Sequence, residues 1–357
     1  MHRTWPSRAN LPRMVRARGN DSAPRVRVLH SLAPPDGKTR YVDQMTEGAP
    51  NDVAVTYFSW KSALRGGYDV LHIHWPELLL RGKTRRIRFA KRQAMRATLM
   101  LARARRIPVI RTVHNVSPHE SGTRAERRLL DRIDRVTAMS ILLNPTTEVR
   151  SPAPTVTILH GHYRDRFASH PRAPKEPGLL LYFGIIRPYK NVEALIDTFS
   201  SRPRPGSRLR IVGSPTTELR EPIRRRAAAA ANVSAALEFV DDGDLVREIS
   251  AASLVVLPYA EMHNSGAALV ALSLDRPILV PRSPSNTALS AEVGPGWVLE
   301  YDGPLTDAVL SAGVDASASL APSDRPKLTG RDWDEVGRRH RDVYIAAIAA
   351  AGGRNHR

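Results

Sequence analysis

Arg187 and Lys190 stand three residues apart in the run Phe183-Gly-Ile-Ile-Arg-Pro-Tyr-Lys190, between Leu179-Leu-Leu-Tyr and Asn191-Val-Glu-Ala-Leu-Ile. A guanidinium can grip phosphate oxygens with two parallel N–H groups, and an ammonium adds a compact point charge. The pattern predicts a buried strand that stops at Gly184, a loop carrying both cations, and an amphipathic helix that starts at once. Such a turn, at the C-terminal edge of a parallel strand, suits a pyrophosphate. A second stretch offers the same chemistry from backbone groups. After the apolar run 254–258, Asn264 or Ser265 is a good helix N-cap, and Gly266 removes a Cβ from the first turn. Free N–H groups at that helix start would hold phosphate oxygens.

The N-terminal half carries polar residues just past two apolar runs, in Leu71-His-Ile-His-Trp-Pro-Glu77 and Arg111-Thr-Val-His-Asn-Val-Ser-Pro-His-Glu120. His74, Trp75 and Glu77 from one strand end, and His114, Asn115 and Glu120 from the other, are expected to face a cleft. Glu77 and His114 are the candidate catalytic residues, because a carboxylate or an imidazole can remove a hydroxyl proton. Gly161 and His162, in Thr157-Ile-Leu-His-Gly-His-Tyr-Arg164, are expected near the same cleft. The histidines look scattered rather than spaced as a ligand set, so no metal is expected. Asp36-Gly-Lys-Thr39 lacks the upstream glycine of a phosphate-binding loop and reads as a generic loop.

Positioning such residues takes an alternation of strands and helices. Apolar runs at 25–32, 53–60, 69–75, 108–115, 136–144 and 155–162 read as strands, mostly continuous rather than alternating, as buried parallel strands are. Pro171-Arg-Ala-Pro-Lys-Glu-Pro-Gly178 interrupts the pattern and reads as a linker. Strands resume at 179–184, 208–213, 237–240, 254–259, 277–281 and 297–301. The fold class is α/β, with two Rossmann-like β/α/β domains facing each other across a cleft. The expected divisions are a basic disordered tail at 1–24, an acceptor-binding domain at 25–170, a ligand-binding domain at 171–312, and a C-terminal segment at 313–357. Asp332-Trp-Asp-Glu335 starts a helix in that last segment, expected to pack back across the hinge.

The bulk composition narrows the partners. The chain has 357 residues, 42% of them apolar, and no cysteine, which removes disulfides, thiolate nucleophiles and cysteine-ligated metals. No apolar run approaches the roughly 18–20 residues that span a bilayer, and the first 24 residues hold no apolar signal core, so a cytosolic protein is expected. The formal charge of +19, from 54 Lys plus Arg against 35 Asp plus Glu, calls for an anionic partner unless arginine enrichment is simply general. Residues 81–106 hold eleven Lys or Arg and no acid, with Ile87, Ala90, Ala94, Ala97 and Leu101 near one face. A basic amphipathic helix of this kind can sit on anionic headgroups. No nucleic acid is expected: aromatics are 6% and no stacking residues interleave the basic cluster.

Taken together, Tyr182-Phe-Gly-Ile-Ile-Arg-Pro-Tyr-Lys-Asn191, Leu209-Arg-Ile-Val-Gly-Ser214, Pro258-Tyr-Ala-Glu261, Asn264-Ser-Gly-Ala and Arg276-Pro-Ile-Leu-Val280 resemble the donor-binding half of GT-B glycosyltransferases. The resemblance covers most of the chain from Arg25 onward. It implies that Arg187 and Lys190 of the Gly184 loop hold the donor diphosphate, that Asn264, Ser265 and Gly266 approach the same phosphates, and that Glu261 contacts the donor sugar. Related retaining enzymes carry a second glutamate, for the nucleotide ribose; here Leu269 stands eight residues past Glu261, so the ribose contact must come from elsewhere and the stereochemistry stays open. The resemblance extends to bacterial exopolysaccharide and glycolipid mannosyltransferases. It implies transfer of a sugar from a nucleotide diphosphate sugar to a hydroxyl of a glycan or lipid-linked acceptor at the inner face of the plasma membrane, with no cofactor. GDP-mannose is the first expectation, with UDP-glucose, UDP-glucuronate and UDP-N-acetylglucosamine as alternatives. The reading from another class is a non-catalytic basic protein that binds nucleic acid or anionic membrane.

Overall fold

The computed structural model describes residues 26–35, 40–114, 122–149, 151–202, 204–260 and 265–352. The tail 1–24, the run 36–39, Asn115, Glu120, Glu261 and Asn264 lie outside the described residues. In the first half the strands are β1 (Val26–His30), β2 (Val53–Tyr57), β3 (Val70–Ile73), β4 (Val109–Val113), β5 (Thr137–Leu142) and β6 (Thr155–Thr157). Its helices are α1 (Arg40–Glu47), α2 (Trp60–Arg65), α3 (Pro76–Leu80), α4 (Arg85–Ala104), α5 (Arg124–Val136) and α6 (Arg164–Phe167). The second half has β7 (Leu179–Phe183), β8 (Arg208–Val212), β9 (Val233–Ala236), β10 (Leu254–Val256), β11 (Ile278–Pro281) and β12 (Val298–Tyr301). Between and after them come α7 (Val192–Ser201), α8 (Thr217–Ala228), α9 (Asp242–Ala251), α10 (Gly266–Ser273), α11 (Pro284–Val293), α12 (Asp307–Ala318) and α13 (Trp333–Gly352).

Each half is one parallel sheet, ordered β2-β1-β3-β4-β5-β6 and β12-β11-β10-β7-β8-β9. In both, the chain enters mid-sheet and the winding reverses, between β1 and β3 in the first and between β7 and β10 in the second. Connections leave such a point to opposite sides, which opens a crevice at the C-terminal ends of the strands. The strand expected at 237–240 is corrected to Val233–Ala236. Pairing with β8 ends at Val212 opposite Ala236, after which Phe239 turns to solvent and Asp241 caps α9 through its side chain. Leu237, Phe239 and Val240 just past the ladder are bulkier and more strand-like in sequence than the small residues Ser234, Ala235 and Ala236 inside it.

The second half packs about a single apolar cluster built on the fully buried β7 and β10. Two clusters cover the faces of the first sheet. Leu29, Leu71, Ile73 and Val109 pack under α2, α4 and α5, while the alternate residues Val28, Val70, Ile110 and Ile141 lie under α1 and α13. α13 therefore returns to the first half although it follows the second in sequence. Its seat needs glycine at both contacts: a Cβ on Gly337 would stand 1.8 Å from the Gly48 carbonyl oxygen, and one on Gly48 would meet the Trp333 backbone oxygen at 2.5 Å.

Helix α4 buries Met95, Thr98, Leu99 and Ala102. The face expected from Ile87, Ala90, Ala94, Ala97 and Leu101 is thus corrected, with Ile87 and Ala90 exposed. Alanines marked that face, yet Met95 and Leu99 remove far more apolar area from water. The outward side carries Arg85, Phe89, Arg92, Arg96, Met100 and Arg103 at helical spacing, with Phe89 57% and Met100 61% exposed. Among the described residues, no helix is long and apolar enough to cross a membrane.

Candidate active site

Gly184 ends β7 with φ +112°, and a Cβ on Gly213, which ends β8, would fall 1.9 Å from the Gly184 carbonyl oxygen. Two glycines thus let the chain turn sharply off adjacent strands. The loop is pinned from both sides: Ile186 N donates to Ser214 O at 2.9 Å, Ala260 N to Tyr189 O at 2.8 Å, and Asn191 Nδ2 to Pro258 O at 3.0 Å. Asn191 adopts the left-handed conformation that asparagine tolerates and opens α7. This rigid loop presents Arg187 outward and sets the Lys190 ammonium over the Tyr259 ring, 4.7 Å from its centroid. Among the described residues no carboxylate pairs with either cation. Burial, and then the neighbouring Arg187 charge, lower Lys190 to a pKa of about 8. Ser265 caps α10, its Oγ accepting from Ala268 N at 3.2 Å. The first turn of that helix is only partly buried, so its free N–H groups remain available to an anion.

On the α1/α13 face of the first sheet, apolar residues give way to histidines toward the C-terminal edge: Val28 to His30, Val70 to His72 and His74, Ile110 to Thr112 and His114. Register sets His30 opposite His72, and His74 follows two residues on. The rings form a file across the switch point: His30 Nδ1 lies 3.1 Å from His74 Nε2, and His74 Nδ1 lies 3.0 Å from His114 Nε2. His72 bonds Tyr344 Oη and Thr112 Oγ1, each at 2.8 Å. Trp75 stacks on His114 with centroids 3.9 Å apart, and Tyr41 meets His114 edge-on at 5.0 Å. Burial holds His30 down to about 3 and His72, His74 and His114 well below the usual imidazole value, with repulsion from neighbouring rings adding to it. All four are neutral at physiological pH. Glu77 lies half-buried in the first turn of α3 at the same edge.

The expectation of scattered histidines is corrected, since ring nitrogens of His30, His72 and His74 come within 4.8 Å of one another. Yet both nitrogens of His74 are engaged by other rings and both of His72 by hydroxyls. The donor set fits a closed hydrogen-bond network better than a cation. His162 is held by partners of its own. Its Nε2 lies 3.0 Å from Asp332 Oδ1, its N–H donates to Arg331 O at 2.8 Å, and its carbonyl accepts from Trp333 Nε1 at 2.6 Å, so it fastens the lead into α13. Arg331 completes the fastening with bonds to His160 O and to both Glu292 oxygens.

A pocket between the halves is lined by Asn144 and His160 from the first, Ser265 and Asn286 from the second, and Arg331. His160 Nδ1 lies 2.8 Å from Gly161 O, which fixes the proton there and leaves Nε2 as an acceptor. The structure thus brings His74, Trp75 and His114 together on one edge, and Arg187, Lys190 and Ser265 on the edge of the other sheet. His30, His72, His160, Tyr41 and Arg331 escaped the sequence reading. The period-two pair His72 and His74 was the one local signal for the first group.

No protein-family model matches the chain. A GDP-mannose:glycolipid 4-β-D-mannosyltransferase of Xanthomonas campestris pv. campestris is 45% identical over 333 residues, 93% of this chain and 95% of its own length. The chain belongs to this mannosyltransferase family. A second sequence of the same description and pathovar matches equally over 333 residues. Among solved structures, Anabaena HepE in complex with UDP-glucose superposes with a TM-score of 0.60 at 12% identity, covering 92% of this chain and 98% of HepE. WaaG, a glycosyltransferase involved in lipopolysaccharide biosynthesis, gives 0.53 at 14% identity over 92% and 100%. At such identities the likeness shows the fold alone. The two facing parallel sheets are the GT-B architecture of these glycosyltransferases, and the mannosyltransferase family supplies the chemistry they frame.

Proposed function

We propose that this glycosyltransferase moves mannose from GDP-mannose to a hydroxyl of a glycolipid, with inversion at C1. The carrying observation is the 45% identity, over nearly the whole chain, with enzymes described as GDP-mannose:glycolipid 4-β-D-mannosyltransferases. GDP-mannose holds its sugar in an α linkage, so a β product requires attack from the opposite face. The acceptor oxygen bonds to C1 as the C1–O bond to the β-phosphate breaks, and the electron pair leaves on GDP. Arg187, Lys190 and the α10 N–H groups stabilise that growing charge, in place of a metal. Glu261 and Asn264 complete the donor contacts, with 171–312 holding the donor and 25–170 the acceptor.

The acceptor proton passes to His114, a neutral imidazole that offers a lone pair at physiological pH. A bound diphosphate favours the imidazolium that results. Glu77 orients the acceptor. The exposed stripe of α4, with Phe89 and Met100 among arginines, rests on anionic headgroups and brings the cleft to a lipid-linked substrate.

The test combines product analysis with two variants. The one-bond C1–H1 coupling of the mannosylated product should report a β linkage; an α linkage refutes inversion. His114→Gln should lose about 10²–10⁴ in kcat, the usual span for general-base removal, and Glu77→Gln much less. The reverse order moves the base to Glu77.

A further inference from the structure

Lys190 carries its charge on a long flexible stem, so a rigid loop alone does not place the ammonium. Two neighbours do. The Tyr259 ring, just past β10, lies under Nζ with its centroid 4.7 Å away. A Cβ built on Gly184, at the end of β7, would find Lys190 Nζ as its nearest atom beyond the chain neighbours, at 3.9 Å. The ammonium is thus held where the ends of the adjacent strands β7 and β10 come together, and these same strands lead into the Arg187 loop and the start of α10.

The ring is itself fixed. Tyr259 is buried, and it meets Tyr182 and Tyr189 edge-on, each with centroids 6.3 Å apart and planes at 63° and 79°. On either side of it, Asn191 bonds the Pro258 carbonyl and Ala260 N bonds the Tyr189 carbonyl, so the ring and the loop move as one unit. A ring suits this place for a chemical reason. A carboxylate here would claim the ammonium, cancel its charge and repel a diphosphate. An aromatic face attracts a cation through its quadrupole yet offers no lone pair that competes for the N–H groups. Arg187, on the same loop, repels the ammonium, and the ring face opposes that repulsion without adding a negative charge.

We propose that Tyr259 is a positioning residue for the donor diphosphate: its ring face holds the Lys190 ammonium beside Gly184, with charge and N–H donors left to the phosphate oxygens, and so sets how tightly GDP is gripped. This role rests on Lys190 as a donor contact. It belongs to the ring and not to the hydroxyl, so phenylalanine serves there as well as tyrosine.

Calorimetric titration of GDP into the full-length protein tests this role through a double-mutant cycle. Tyr259→Leu should weaken GDP about tenfold while Lys190 is present, and less than twofold in a Lys190→Ala background, where no ammonium remains to be placed. Tyr259→Phe should bind GDP within twofold of the unaltered protein. Equal losses from Tyr259→Leu in the two backgrounds would mean that the side chain only supports the loop, and would overturn the proposal; undiminished binding by Tyr259→Leu would do the same. Tyr259→Phe with three ring fluorines keeps the packing but drains the ring face, so it answers even where Tyr259→Leu does not fold. It should bind GDP several-fold more weakly than plain Tyr259→Phe, and equal affinity overturns the proposal. A Lys190→Ala protein that binds GDP normally would instead sink the donor reading of Lys190, and the role of Tyr259 with it.

Discussion

At the scale of single residues, Lys190 links charge to pH. Its ammonium is lowered to about 8 by burial and then by the neighbouring Arg187 charge. Below that value it is charged and ready for a diphosphate; above it the charge is lost. We expect kcat/KM for GDP-mannose to fall as pH rises past 8, and Lys190→Arg to keep its activity to higher pH. A profile that stays flat to pH 10 in the unaltered enzyme would remove Lys190 from the donor site. Lys190→Ala should cost about 1.5–3 kcal/mol, roughly ten- to hundredfold in kcat/KM. Arg187 and Lys190 could be picked out in sequence because strand, glycine, loop and helix lie within a dozen residues. The histidine file could not. His72 meets Tyr344 across 272 positions of sequence, and His30 meets His74 only through strand register.

Elements were legible to different depths. Continuous apolar runs announced two parallel sheets, since a strand covered on both faces needs no alternation. Their strand order was not announced, because nothing local says that β3 lies beside β1 and β10 beside β7. Helix α4 was visible as a basic segment, but its buried side depended on what α2, α3 and α5 cover. Its outer stripe leads to a prediction at this scale. Sedimentation with anionic vesicles should decline as salt rises, Arg92→Glu with Arg96→Glu should abolish it, and Phe89→Ser with Met100→Ser should weaken it at every salt concentration. Equal binding to neutral and anionic vesicles would refute the electrostatic part.

For the whole molecule, the buried histidines set a limit on acid tolerance. His30 is lowered to about 3 and His160 and His340 to about 4, while the unfolded chain titrates near the ordinary value of 6.5. Because the folded values are depressed, the neutral rings contribute their full stability above pH 6.5. That contribution is lost as pH falls from there toward the folded values. At pH 5 the loss is on the order of 1–2 kcal/mol for each such ring. Tm should therefore drop by many degrees between pH 7.5 and 5, and less so in His340→Phe; equal Tm at the two pH values would contradict the burial of neutral imidazoles. None of this was readable in the composition, where +19 points to surface charge and says nothing of rings that must stay uncharged inside.

The return of α13 to the first sheet also sets a timetable for synthesis. Trp333, Val336 and Tyr344 complete the apolar layer over Val28, Val70 and Ile110, so that face of the first half stays open until residues 333–347 have left the ribosome. Chains usually fold domain by domain from the N-terminus as they emerge. Here the second half can close first, and the earlier-made half must wait with an uncovered apolar surface. A ribosome stalled before residue 333 should hold a first half that proteases cut readily, beside a second half that resists them.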